Sequence, residues 1–464
     1  MLTLSAPQAE TLWDEVLPIE VKELPEDLAK LDELLCDPEL LRPIARHWEQ
    51  EETETGRAVI TEGRPTIAME TYVRLMVVKQ RTGWGYETLV REVSDSIHLR
   101  RFCLIPLHAR VPDESTIRKL TRRIGSETVT ELTRALIRKA ARERRFRPRA
   151  VRIDSTVIEA DVRYPTDSGL AAHGVRALAR EGRKLAERIG ERGRRVRDRS
   201  RAMGRRLRGI TRTIRARSGE AKAEVLKLTT QTGELLQRSV SEARRLAGIA
   251  RSKARGRGAM AKLRAAAKLE ELANRCEKVA RQIERRVTGE PITDRIVSIS
   301  DPDARPIRKG KLGKPNEFGY VTQLAEVTEH TRRGARGLIL PPQTAPGNPQ
   351  ENALLPDTVA ELNRLGISLR EAALDGGFMP GPTNEALAEL EPDRVFISGR
   401  QEPGSRRTNR RLQRYRTGKE GRISHLKRRY GMGRSRLKGG EGQRIWTGWA
   451  AFAYDLDTVA VLPT

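Results

Sequence analysis

The sequence predicts an α/β protein, with a mixed sheet interrupted after its first strand by a large all-helical block and preceded by an all-helical N-terminal segment. Three observations predict it. Runs rich in β-branched residues begin at Ala150 and return only after Pro291. Between them, residues 170–288 hold helix formers and no proline. Before Ala150, apolar residues recur at helical spacing.

The first 55 residues are acidic and mostly helical in pattern. Residues 69–82 and 84–93 carry apolar positions at helical spacing, and Asp113-Glu114-Ser115-Thr116 reads as a helix start before Ile117, Leu120 and Ile124. Such a compact helical unit suits either a helix-turn-helix DNA reader or plain packing. Residues 150–159 form the first strand, after a basic run at 142–149. Within 170–288, Leu269, Leu272, Cys276, Val279 and Ile283 repeat at heptad spacing. Val225, Leu228, Leu235, Leu246 and Ala250 form a similar stripe, and Gly256-Arg257-Gly258 separates the two. This predicts an antiparallel helical hairpin with a narrow apolar seam and a cationic exterior; the plain alternative is a solvated or disordered basic linker, against which the heptads argue for the second half. Residues 294–300 and 318–328 read as strands, with 334–340 as a candidate third. A helix at 351–365, a strand at 370–374, a helix at 383–390 and a strand at 394–398 follow. A basic helix at 412–430 and an apolar closing helix at 446–462 complete the chain. The expected domains are 1–145; 146–169 with 289–464; and 170–288.

Of 464 residues, 89 are Lys or Arg and 62 are Asp or Glu, so the formal net charge is +27. This points to a polyanionic partner, most often nucleic acid. The surplus is local. Residues 171–290 hold 34 basic against 13 acidic residues, and 400–440 hold 15 against 2, so the rest of the chain is slightly acidic. Aromatic residues are 4% of the chain and sparse in the basic segments. Contact with duplex phosphates is therefore favoured over base stacking on single strands. No run of about 18 uncharged apolar residues exists, which excludes a membrane span. The acidic N-terminus lacks an export pattern, so a cytoplasmic location is expected. Three Cys and six His, none closely paired, argue against a thiolate or imidazole metal site.

Three carboxylates stand out. Asp154 lies inside an apolar strand, where a charge needs a partner. Asp375 ends another apolar strand and precedes Gly376 and Gly377; in open α/β sheets, sites gather at that end. Glu420 is an isolated acid in a cationic helix. Oxygen ligands of this kind suit Mg²⁺ or Mn²⁺, and two such ions about 4 Å apart promote phosphodiester hydrolysis. The plain alternatives are a turn at Asp154, a turn at Asp375, and an ion pair of Glu420 with Arg416 or Lys427. Asp301 and Asp303 rank below Asp375, and Glu159, Asp161 and Asp167 read as surface acids.

At these residues the chain resembles bacterial insertion-sequence transposases of the DDE class. Ile153-Asp154-Ser155-Thr156 is similar to the first acidic motif, and Leu374-Asp375-Gly376-Gly377-Phe378 to the second. The third is a Tyr-two-Arg-three-Glu-six-Lys signature. Arg416, Glu420 and Lys427 keep its spacing, while Gln413 stands at the Tyr position with Tyr415 nearby. Residues 310–315, Phe318-Gly319-Tyr320, Pro112-Asp113-Glu114-Ser115-Thr116 and Trp446-Thr447-Gly448-Trp449 add to the resemblance. It implies an RNase H-like catalytic domain behind a helical N-terminal domain. Asp154, Asp375 and Glu420 would be catalytic and hold two Mg²⁺ or Mn²⁺ ions; Arg416, Lys427 and Arg422 would contact DNA. The partners implied are double-stranded DNA, both transposon ends and target, and a second copy of the chain as a homodimer. The competing functions are a metal-dependent nuclease of the same fold and an inactive DNA-binding relic.

Overall fold

The computed structural model describes residues 1–6, 16–144, 146–191, 193–216, 218–256, 258–311, 314–400 and 404–463. The chain divides into two compact units, one of Met1–Asp161 with Gly319–Thr464 and one of Val162–Phe318. The fold is mixed α/β.

In the first unit, helices α1 (Ile19–Lys22), α2 (Glu26–Leu35), α3 (Arg42–Thr55), α4 (Met69–Thr82), α5 (Tyr86–Asp95), α6 (Ile97–Phe102) and α7 (Glu114–Glu143) precede the sheet. The α4 bounds coincide with the predicted helix. Asp113 caps α7 as expected, its side chain accepting from the Thr116 amide at 2.9 Å. The hydroxyls of Ser115 and Thr116 donate to the same carboxylate and hold it well below the usual range. α7 is broken at Gly125 (φ 75°, ψ 175°), a conformation only glycine adopts easily. There Glu441 accepts from both the amide and the hydroxyl of Ser126, capping the second segment.

Strand β1 (Ala150–Ala160) is central. Its β-branched and apolar residues leave it buried on both faces, as its burial pattern shows. β3 (Lys314–Thr328) runs antiparallel along one side, with Arg152 opposite Glu326 and Asp154 opposite Leu324. On the other side, β6 (Glu371–Leu374) runs parallel to Ala150–Ile153, and β7 (Arg394–Ile397) is parallel to β6. β4 (Leu338–Ile339) and β5 (Gln343–Pro346) pair with β3, and β8 (Arg434–Ser435) with the end of β1. Of the predicted 334–340 strand, only β4 forms.

One face of the sheet carries Val151, Ile153, Ala325 and Val327 into a core shared with the N-terminal helices and with α12 (Leu355–Arg364). Helix α13 (Pro380–Leu387) packs beside α12. The opposite face is covered by α14 (Arg406–Arg429) and α15 (Gly439–Val459). α15 is sided. Trp446, Trp449 and Phe452 join the N-terminal helices, while Ala450, Ala453 and Tyr454 pack with Ile158 and Leu324.

The second unit holds α8 (Asp167–Arg188), α9 (Ser200–Thr213), α10 (Gly219–Ser252) and α11 (Ala259–Thr288), followed by β2 (Arg305–Lys311). The expected hairpin is therefore the α10–α11 pair within a four-helix core. Leu269, Cys276, Val279 and Ile283 are buried as the heptads require, while Leu272 is only partly so. Opposite them lie Leu246 and Ala250 with Leu236 and Val240, whereas the expected Val225, Leu228 and Leu235 are only partly buried. α8 joins because Leu170, Val175, Leu178 and Leu185 supply a second apolar stripe.

Two expectations fail here. Residues 294–300 are not a strand: Ile296, Val297 and Ile299 are buried, but side chains satisfy backbone groups of Ile296 and Ile299. The Ile296 amide donates to Gln282 Oε1 at 2.6 Å, and the Gln282 amide donates back to the Ile296 carbonyl at 3.3 Å. Residues in this segment gain more by packing on the α10–α11 core than by a ladder. Asp167 is not a surface acid; it is buried and paired with Arg286 and Arg295. Leu312 and Gly313, inside the 310–315 motif, lie outside the described residues.

Candidate acidic site at the β1–β6 edge

The parallel register pairs Ile153 with Leu374, and both chains then run on by one residue to Asp154 and Asp375. β6 ends there while β1 continues, so Asp154 stands beside the point where Asp375 leaves the sheet. The two glycines after Asp375 sit at close approach, Gly376 against backbone and Gly377 against a side chain that a Cβ would have to displace. A Cβ on Gly376 would lie 2.9 Å from the Ser398 carbonyl oxygen, and one on Gly377 would lie 2.9 Å from the Glu351 Cγ.

α14 delivers the third carboxylate. The guanidinium of Arg416 donates to Asp375 Oδ1 at 2.6 Å and to Glu420 Oε1 at 2.9 Å. The Arg416 side chain is 10% exposed, against 42% for Asp375 and 60% for Glu420. Glu420 thus makes the ion pair its setting suggested, and the same cation ties it to Asp375. Asp154 accepts from the Ser155 amide at 2.7 Å. Its carboxyl is pushed up to about 6, first by burial and then by the charge of Asp375, with Glu351 adding to it. The Lys419 charge and the Ser155 amide oppose this.

The seat of α14 is a buried charge cluster. Glu326 on β3 accepts from Arg152 Nε at 3.0 Å, from Arg422 Nε at 3.2 Å and from the Gly337 amide at 3.1 Å. Arg152 also donates to the Tyr415 carbonyl of α14 at 2.9 Å. Burial pushes the Glu326 carboxyl up, but Lys419, Arg152 and Arg422 outweigh it and hold the group low. Lys419 is fully buried, its Nζ has no hydrogen-bond partner among the described residues, and burial lowers its pKa to about 7. Gly418 lets the helix come this close, since a Cβ there would meet Arg152 Nη1.

The remaining expected residues divide. Lys427 donates to the Val157 carbonyl of β1 at 2.8 Å. Arg422 is committed to Glu326 and lies over the Tyr454 ring at 5.0 Å. Gln413 accepts from Ser398 Oγ at 3.0 Å, whereas Tyr415 is buried against Thr328 Oγ1 at 2.7 Å and under Arg152. Tyr415 is therefore a core residue. Along the first half of α14, Arg406, Arg407, Arg410 and Arg414 are exposed and line a groove of about 630 Å³ with Thr408 and Arg411.

Sequence reading missed three residues. Glu326 carries the signal used for Asp154, a charge within an apolar strand. Lys419 is indistinguishable from its basic neighbours in sequence. Glu351, whose buried Oε2 has no hydrogen-bond partner among the described residues, follows a Pro/Gly-rich loop with no motif of its own.

Among the described residues, no group of three His, Cys, Asp or Glu side chains stands ready to share an ion. The donors nonetheless have the chemistry a hard divalent cation takes. Asp154 and Asp375 are adjacent carboxylates whose repulsion a cation would relieve, and Glu351, whose charge reaches Asp154 and whose side chain lies against Gly377, has a buried oxygen without a partner among the described residues. No helix of the described residues is long and apolar enough to cross a membrane. Residues 29–123 match the family model of the transposase domain DUF772, which supports a transposase. Neither a curated protein nor a solved structure matches the chain.

Proposed function

We propose that the chain is a DDE-class transposase that cuts DNA at transposon ends and joins them to a target, on an RNase H-like domain carrying residues 170–288 as an insertion. The observation that supports this reading is that Asp154 lies beside Asp375 at the carboxyl end of β6, and that Arg416 donates to both Asp375 and Glu420. Asp154, Asp375 and Glu420 would hold two divalent ions. Mg²⁺ or Mn²⁺ bound there supplies the Lewis acidity that activates water and stabilises the leaving oxygen. Arg416 neutralises Asp375 and Glu420 until substrate arrives, then faces the phosphate with its fork of donors. Lys427 adds a point charge near the same strand. The exposed arginines of α14 hold the flanking backbone. Arg422 acts through Glu326, by seating the helix.

In the first step, water adds to phosphorus at the transposon end and the bond to the 3′-oxygen breaks, freeing a 3′-hydroxyl. In the second, that hydroxyl adds to a target phosphorus and displaces the target's 3′-oxygen. No covalent protein intermediate is needed. Two ends must be held together, which calls for a homodimer on DNA.

The test is Mg²⁺-dependent cleavage and joining of an end fragment by the wild type and by Asp154→Asn, Asp375→Asn and Glu420→Gln. Each variant is expected to lose at least about 3 kcal/mol of barrier lowering, on the order of 100-fold or more in rate. Full activity in all three variants overturns the site. Cleavage without joining assigns a nuclease instead.

A further inference from the structure

Helix α9 of the second unit has an unusual charge pattern. Its sequence contains five arginines and no acidic residue. At roughly 100° per residue, Arg201, Arg205, Arg208 and Arg212 fall within a narrow sector, forming a stripe roughly 16 Å long. All four are exposed, and none has an acidic or hydrogen-bonded partner among the described residues. The fifth, Arg206, is turned away from them and docks the helix, donating to Gln231 of α10 at 3.0 Å and to the Ala202 carbonyl. Met203, Leu207 and Ile210 fill the inner face, and Gly209 lets Leu228 of α10 approach closely.

The neighbouring helices do not share this pattern. Arg244 of α10 pairs with Glu277 of α11 at 2.8 Å, and Arg251 pairs with Glu270. A solvated face interleaves charges in that way, because like charges four residues apart disfavour the helix. The α9 stripe accepts that repulsion three turns long without an anion of its own. We infer that α9 is a binding surface for the phosphodiester backbone of duplex DNA, with Arg201, Arg205, Arg208 and Arg212 as its contacts. Roughly 16 Å of duplex presents on the order of ten phosphate charges, and guanidinium forks suit them. Single strands are disfavoured because no Phe, Tyr or Trp lies between Tyr164 and Phe318 to stack on bases. An anionic membrane is disfavoured because the apolar face of α9 is already buried in its own unit. The inference rests on the DNA partner proposed above but not on the acidic site or its chemistry.

The experiment measures binding of the full chain to a 30-base-pair duplex, with chelator present so that nothing is cut, between about 50 and 200 mM salt. Replacing the four arginines by Gln is expected to lower affinity on the order of 10- to 100-fold at low salt. It should also reduce the slope of log K against log salt by up to about 3.6, roughly 0.9 for each lost contact. The four-Lys variant should keep most of the slope, and circular dichroism should show both variants folded. A Gln variant that binds as the wild type does overturns the stripe alone. A wild type that ignores duplex overturns this inference together with the DNA partner above. Binding through these residues to anionic vesicles but not to duplex overturns it in favour of a membrane.

Discussion

Helices α14 and α9 lie in the two basic segments and are both arginine-rich, yet the second half of α14 turns much of its charge inward, while α9 keeps nearly all of its charge in solvent. In α14, Arg411 turns to Glu371, Arg416 to Asp375 and Glu420, and Arg422 to Glu326, with Lys419 buried among them. In α9, Arg206 alone faces inward. An inward cation demands an anion at a defined place, so it fixes how the helix sits. An outward cation fixes nothing in the fold and remains open to a partner. Net charge by segment does not separate the two, although their consequences for stability and binding differ.

The largest expected effect tests the inward half. Glu326→Gln leaves Arg152, Lys419 and Arg422 without their shared anion, and should cost about 3–5 kcal/mol in denaturant unfolding. A loss under about 1 kcal/mol would mean that the cluster does not seat α14. Next, the second unit should owe its stability to its apolar seam. Leu269→Ala, at a site 1% exposed, should cost about 2–5 kcal/mol, and added salt should not restore it. Salt rescue would assign that unit's stability to charge.

Lys79 extends the comparison to a third setting, an inward cation with aromatic rings in place of an anion. Its Nζ lies 4.1 Å from the Trp446 ring centre and 5.0 Å from that of Tyr86. Burial lowers its pKa from 10.5 to about 7. The unfolded chain therefore holds more protons between those values, so stability should fall as pH drops from about 10.5 to 7 and level off below. Lys79→Met should remove that fall, gaining on the wild type by up to about 3–4 kcal/mol between pH 10 and pH 7, as read from unfolding at the two pH values. Parallel curves for the two proteins would show that Lys79 keeps its proton in the folded state. The smallest effect is at an outward pair: Arg251→Ala, facing Glu270, should change unfolding by less than about 1 kcal/mol.

Much of this was legible in sequence where the signal is local. The period of the apolar residues located α4, and Asp113 marked the start of α7. A charge inside an apolar strand singled out Asp154, and an acid followed by two glycines singled out Asp375. Residues 294–300 misled because an apolar β-branched run describes burial, and burial can be met without a ladder when side chains such as Gln282 satisfy the backbone. Asp167 misled because its partners Arg286 and Arg295 lie more than a hundred residues away.

The sequence by itself determined where most of the helices and strands form, how the positive charge is distributed along the chain, and that Asp154 and Glu420 are out of place in their own elements. These follow from residue type and spacing within a few turns. Only the tertiary structure decided that Ile153 pairs with Leu374 and so brings Asp154 beside Asp375. It also decided that Arg416 links Asp375 to Glu420, and that Glu326, Lys419 and Glu351 belong to the same neighbourhood. The physical reason is that an isolated charge carries no address. Whether it is a surface residue, an anchor or part of a site depends on which opposite charge or dipole the fold brings within a few ångströms of it.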